Sequence, residues 1–117
     1  MARILALDLG AESGRGVVGT LSDDGRLSLE EIHRFPNGPI RMGSTQYWDL
    51  PRLTAELETA ITKAGEVQSL GVDTWGVDFG LIGSRGELVG LPVHYRDART
   101  NGFIEKVFAK LPQSEIL

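Results

Sequence analysis

Apolar and polar positions alternate along this chain in more than one rhythm, and each change of rhythm marks an element. Ile4-Leu5-Ala6-Leu7 is an unbroken apolar run that stops at Asp8-Leu9-Gly10. That is the pattern of a strand buried on both faces, with its polar residue at the end. Arg15 to Leu21 reads as a second strand, closed by Ser22-Asp23-Asp24-Gly25, whose Asp-Gly pair favours a hairpin turn. Arg26 to Phe35 returns as a third. Leu27 and Leu29 alternate within it, and the phase slips at Glu30-Glu31 before Ile32, which predicts a bulge or a frayed edge. These strands make a three-stranded antiparallel meander. Pro36-Asn37-Gly38-Pro39 ends it, and the stretch up to Gln46 reads as loop.

A helical period follows. Asp49 is placed as an N-cap, with Trp48 and Leu53 at the two positions of a hydrophobic staple. Leu50, Leu53, Leu57, Ile61 and Ala64 form one apolar face, and Gly65 stands at the stop. Ser69 to Trp75 is the next strand, with Leu70, Val72 and Thr74 on one side and Gly71, Asp73 and Trp75 on the other. Val77 to Ile82 alternates again, Gly83-Ser84-Arg85-Gly86 is a turn, and Glu87 to Gly90 returns. Thr100 is placed to cap a last helix whose apolar face is Phe103, Ile104, Val107, Phe108 and Leu111, ended by Pro112. Three strands, a helix, a strand, two short strands and a helix specify an α/β fold with a mixed sheet. Pro112 to Leu117 carry no element that would close a domain, so the fold is expected to be incomplete.

The 117 residues fit one domain of ordinary size, and 41% hydrophobic content is enough for a core. A net charge of −4 argues against bulk electrostatic binding of nucleic acid. With no cysteine there is no disulfide, thiolate metal site or cysteine nucleophile, which fits a reducing compartment. No apolar run approaches the roughly 20 residues of a membrane helix, and Met1 to Leu9 lacks the makings of a signal peptide. A cytoplasmic protein is expected. Glycine is in excess, 15 of 117 residues, about double the usual ~7%. Those glycines serve turns, or places where backbone approaches something closely.

Three polar clusters carry the candidate chemistry. In Asp8-Leu9-Gly10-Ala11-Glu12-Ser13-Gly14-Arg15, the glycines let backbone approach a ligand, and exposed amides, the Ser13 hydroxyl and Arg15 suit a phosphate. Asp8, at a strand end, suits a hydrated Mg²⁺. A plain glycine hairpin with a turn-capping aspartate explains the same residues. No Gly-Lys-Ser/Thr follows, and a strand rather than a helix comes next, so it is neither a Walker A loop nor a dinucleotide fingerprint. In Gly71-Val72-Asp73-Thr74-Trp75-Gly76-Val77-Asp78-Phe79, an indole beside hydrogen-bonding groups suits a sugar, which has apolar C–H faces and hydroxyls. A core Trp75 with a bulge at Gly76 is the alternative, and it leaves the paired aspartates unexplained. The third cluster, His94-Tyr95-Arg96-Asp97-Ala98-Arg99, is a binding loop or a solvated loop with a surface ion pair. His33 and His94 carry no assigned role.

Taken in order, these clusters resemble the start of the FGGY carbohydrate kinases. The resemblance rests on Leu7 to Arg15, Glu31-Ile32-His33-Arg34-Phe35, Gly71 to Phe79 and Gly90-Leu91-Pro92-Val93-His94-Tyr95-Arg96-Asp97-Ala98-Arg99-Thr100. The tryptophan-bearing and Tyr-Arg-Asp segments favour, within that family, kinases of L-rhamnulose over those of glycerol or xylulose, with another sugar kinase of the family, of xylulose, fuculose or glycerol type, as the alternative. The resemblance implies an actin-like, ribonuclease-H-like N-terminal domain facing a second domain, with MgATP and sugar bound between them. Residues 1–117 would be part of that first domain. It further implies Asp8 as the Mg²⁺ aspartate and Ala11, Glu12, Ser13, Gly14 and Arg15 as the ATP phosphate hairpin. Trp75, Gly76, Asp78, Tyr95, Arg96 and Asp97 would line the sugar site. The family's catalytic base and adenosine pocket match no residue here, so the chain alone is expected to be inactive. Glu12 departs from the family's small or hydroxyl residue, and its charge must turn outward or help hold the metal. A phosphatase or ATPase of actin-like fold, and a non-catalytic binding module, are the competing readings, and an uncovered apolar face would favour self-association.

Overall fold

A computed structural model describes residues 1–116, leaving Leu117 of the expected open end outside the described residues. The three strands of the meander form as β1 (Ala2–Leu9), β2 (Ser13–Leu21) and β3 (Leu27–Pro36). β4 (Pro39–Met42) and β5 (Thr45–Trp48) follow, then α1 (Leu50–Ala64), β6 (Ser69–Asp73) and α2 (Phe103–Phe108). The main sheet runs β3-β2-β1-β6, with β6 parallel to β1 and the other pairs antiparallel. It is the mixed sheet that the chain order specifies.

The phase slip in β3 is a bulge. Gly16 pairs with His33 and Val17 with Glu31, so Ile32 is the extra residue and turns toward the core. Gly14 is required where it stands, because a Cβ there would lie 2.1 Å from Cζ of the buried Phe35 ring.

Helix α1 packs on one face of the sheet. The Asp49 side chain accepts from the Arg52 amide at 3.1 Å, and Gly65 leaves the helix at φ 66°, the turn that glycine makes without a Cβ penalty. Arg3 donates to the carbonyls of Ala64 and Glu66, satisfying the helix end. Leu5, Leu7, Val18, Ala60 and Ala64 form the core, with Ile32, Leu57 and Val67 packed against it. Ala60 rather than Ile61 is therefore the centre of the buried face. The small alanines let the helix approach β2, where Gly16 has no room for a Cβ beside Ala60. His33 ties β3 to the helix, since Lys63 Nζ donates to Nδ1 at 3.0 Å and Nε2 bonds Glu56 at 2.6 Å.

Several expectations are corrected. β1 is buried on one face only, because Ile4 and Ala6 share an open face with Val17, Leu21, Leu27 and Leu29 that no described element covers. The stretch after Pro36 is not loop but the β4–β5 hairpin, turning at Gly43 with φ 64°. Val77 to Ile82 and Glu87 to Gly90 do not form strands; a lone Ile82–Leu88 bridge spans the Gly83–Gly86 turn. Thr100 ends a short 3₁₀ turn, and Gly102 is the residue that precedes α2. The apolar side chains of α2 stay exposed. Among the described residues no helix is long and apolar enough to cross a membrane.

Candidate functional site

The main sheet brings two of the three clusters to one end. Asp8 and Asp73 are register partners at the C-terminal ends of the parallel strands β1 and β6. Ligands of α/β sheets gather outside the carboxyl ends of parallel strands, and here both the glycine hairpin and the Trp75 segment leave from that end.

The hairpin between β1 and β2 is pinned from within. The Gly10 amide donates to the Ser13 carbonyl at 2.9 Å. Asn37 holds it from outside, its amide donating to the Glu12 carbonyl at 2.9 Å and its Nδ2 to the Gly10 carbonyl at 2.8 Å. Sequence reasoning missed Asn37, whose neighbours mark only a chain reversal. Arg15 is not a free cation. Its Nε donates to Asp8 Oδ2 at 3.1 Å and its Nη2 to the same oxygen. Asp8 Oδ1 has no such partner among the described residues. One carboxylate oxygen in reserve is what a mostly hydrated Mg²⁺ takes from protein when phosphate oxygens supply the rest. No cluster of three or more metal-ligating side chains exists among the described residues. Glu12 turns outward, 84% exposed at its side chain, and its Oε1 lies 3.9 Å from Arg96 Nη2. This contact spans the hairpin and the third cluster. At such exposure it is worth ~0–1 kcal/mol and marks proximity rather than strength.

The second and third clusters meet in a column of rings. Trp75 packs tilted on Trp48 with centroids 4.2 Å apart, Trp48 tilted on His94 at 4.1 Å, and His94 stacks on Tyr95 at 4.6 Å; Trp48 and Tyr95 lie 6.4 Å apart, so the column bends at His94. The Arg96 guanidinium lies over the outer Tyr95 ring at 5.3 Å. Asp78 Oδ2 accepts from both indoles, Trp48 Nε1 at 2.6 Å and Trp75 Nε1 at 3.0 Å. The ends of the column, Trp75 and Tyr95, are residues singled out by their chemistry. Its centre, Trp48 and His94, is 2% exposed at each residue, and neither was assigned to the site. Trp48 looks like the outer half of a helix staple, and a lone histidine carries no period.

Backbone contacts explain the column. His94 N donates to Gln46 O and Trp48 N to Pro92 O, both at 2.9 Å, so the 92–94 segment runs beside β5. The Asp97 carboxylate accepts the amides of Gln46 at 2.7 Å and Arg99 at 2.9 Å. Those two bonds, the Gln46 one first, hold its pKa below the ordinary carboxylate value. Asp97 is therefore a buried loop anchor at the edge of the segment that the resemblance implies as sugar lining. Tyr95, Arg96 and Asp78 remain partly or fully accessible. Gly76 has no atom within 4 Å of where a Cβ would sit, so its size answers to nothing in this chain.

His94 Nδ1 accepts the Arg96 amide at 3.0 Å, which puts the proton of the neutral ring on Nε2. That Nε2 is buried and finds no partner among the described residues. An orphaned buried donor costs roughly 1–3 kcal/mol. Burial pushes the His94 pKa below 6.5, with Asp78 opposing and Arg96 assisting. The unfolded chain therefore binds a proton that the folded chain refuses, between the depressed folded value and 6.5. Stability from this group is complete above about pH 6.5 and declines as pH falls below it. Urea midpoints measured from pH 7.5 to 5 are expected to fall on acidification, with less fall in His94→Gln; a flat wild-type profile contradicts the buried neutral ring.

No profile of a known protein family matches the chain. Individual relatives do. It is 41% identical over 117 residues to the rhamnulokinase of Enterobacter sp. (strain 638), covering 96% of this chain and 24% of that protein. It is 43% identical over 115 residues to the rhamnulokinase of Bacteroides thetaiotaomicron, covering 95% of this chain and 24% of the relative. The chain thus spans about a quarter of the length of the curated relatives it matches. The fold matches the xylulose kinase of Rhodospirillum rubrum at a TM-score of 0.67 and 16% identity, over 96% of this chain and 24% of that one. It matches a ligand-bound xylulose kinase from Lactobacillus acidophilus at 0.64 and 14%, over 93% and 24%. By sequence along nearly its whole length this chain is similar to rhamnulokinases, and by fold it is similar to FGGY-type carbohydrate kinases.

Proposed function

We propose that this chain supplies the phosphate hairpin, the metal aspartate and one wall of the sugar site of a kinase. The reaction moves the γ-phosphoryl group of MgATP to the 1-hydroxyl of L-rhamnulose. The observation that carries the reading is the convergence at one sheet end of Asp8, the 10–15 hairpin and the Trp75 segment, in a chain similar to rhamnulokinases. Phosphoryl transfer asks for positioning and charge neutralisation more than for covalent chemistry. The amides and the Ser13 hydroxyl of the hairpin receive phosphate oxygens. Arg15 holds Asp8 in place through Oδ2, which leaves Oδ1 to hold Mg²⁺, and the ion when bound would neutralise phosphate charge. Trp75 offers an indole face to the C–H face of the sugar, backed by Trp48, and Arg96 offers a donor to its hydroxyls.

The test is an exchange. Replacing the matching quarter of the Bacteroides thetaiotaomicron rhamnulokinase by this chain is expected to give a chimera that releases ADP from MgATP in response to L-rhamnulose. In that chimera Gly76→Val is expected to raise the KM for sugar at least tenfold and leave that for ATP within a factor of two. Equal loss of both affinities makes Gly76 a structural glycine. A folded chimera with sugar-independent ADP release favours an ATPase instead.

A further inference from the structure

The column has an open question at its centre: why a histidine stands where phenylalanine would stack as well. The ring is buried against both Trp48 and Tyr95, and one of its nitrogens has no partner among the described residues, a burden that an apolar ring would not carry. The other nitrogen supplies the answer. Nδ1 takes the Arg96 amide, and the His94 carbonyl takes the Asp97 amide at 2.9 Å, so one residue closes the turn that presents Tyr95 and Arg96. Its ring faces Trp48, whose other neighbour is Trp75.

We infer that His94 is a positioning residue that joins the two halves of the sugar wall: its ring holds Trp48 and through it Trp75, while its Nδ1 holds the Arg96 amide and the Tyr95–Asp97 turn. The inference rests on the sugar-wall reading above. It separates into two functions that two substitutions divide. His94→Phe keeps a stacking ring and removes the Nδ1 acceptor. His94→Asn keeps an acceptor near the Nδ1 position and removes the ring. The chain reports on itself, because Trp48 and Trp75 are its only tryptophans and both lie in the column.

The two structural signals are read on the chain as it is, and sugar affinity is read as the KM for L-rhamnulose in the rhamnulokinase chimera, because this chain supplies one wall of the site. Near-UV circular dichroism follows the packed indoles, and amide exchange at Arg96 follows the turn. Expected for His94→Phe is an indole signal like that of the wild type, an Arg96 amide that exchanges at least tenfold faster, and sugar affinity lowered about tenfold. Expected for His94→Asn is the reverse pair of signals and a similar loss of affinity. Sugar affinity at the wild-type level in either folded variant overturns the joining role. A folded chimera that releases no ADP in response to sugar overturns the sugar-wall reading and the role in binding with it. The joining itself is then decided by the two spectroscopic signals, and it fails if both variants leave both unchanged. Should neither variant fold, ¹⁵N chemical shifts of the wild-type imidazole decide: a proton on Nδ1, or a doubly protonated ring at pH 7, overturns the assignment.

Discussion

Trp48→Ala is expected to lower the unfolding free energy by about 3–5 kcal/mol, the usual cost of emptying a large aromatic site. The residue is 2% exposed and packed against Trp75 and His94. Its removal also withdraws one of the two indole donors from Asp78 and strips the apolar cover from His94. The damage is expected to reach beyond the hole, because β5 and the 92–94 segment are joined beside it by only a few backbone bonds. Urea unfolding followed by far-UV circular dichroism checks this without depending on the lost fluorophore. A loss below about 1 kcal/mol would mean that the column is an ornament of the surface. Trp48→Phe, which keeps a ring and forgoes the Nε1 bond, is expected to recover much of the loss.

Asp8→Asn separates chemistry from stability in the opposite way. In the rhamnulokinase chimera it is expected to lower turnover by at least ~10²-fold, the scale on which one lost electrostatic contact to a transition state is felt. The fold should scarcely register the change. The Asp8–Arg15 pair is partly exposed on both sides, and such pairs contribute about 0–1 kcal/mol. The asparagine still offers Arg15 an oxygen. Kinetics across a Mg²⁺ titration tests the metal role: the variant should need more Mg²⁺ or fail to saturate. Turnover and Mg²⁺ dependence equal to those of the parent would return Asp8 to the plain reading, a turn aspartate paired with an arginine.

Local signals were legible in the sequence and long-range ones were not. Asp49 and Gly65 bracket α1 because capping is written within a few residues of each helix end. The bulge at Ile32 shows in the order of side chains alone, since a strand has a fixed period. The β4–β5 hairpin is hidden because Pro39 and Gly43 look like breakers. What makes β5 a strand is also the 92–94 segment, far along the chain. The same distance hides the centre of the ring column. Trp75, Asp78, Tyr95 and Arg96 declare themselves by chemistry, but nothing near Trp48 or His94 says that they will meet. Asp97 is legible as a carboxylate and not as an anchor. A carboxylate in a polar run looks like a ligand group, and it is consumed by two backbone amides of its own fold.

The place of β6 in the sheet sets an order of events. Among the described residues β1 lies between two neighbours, whereas β6 pairs with β1 alone, and its residues are exposed. Pairing β6 with β1 closes a loop that contains the whole meander, the β4–β5 hairpin and α1, so its entropy cost falls due before its few contacts give anything back. The meander, whose partners are close in sequence, assembles first and β6 docks late; on the way out β6 leaves early. Asp73 and the Trp75 segment hang from that strand. The wall assigned to the sugar therefore hangs from the strand that joins the sheet at the longest sequence separation, and a ligand that bridges Trp75 and the hairpin would fasten β6 to β1 from outside.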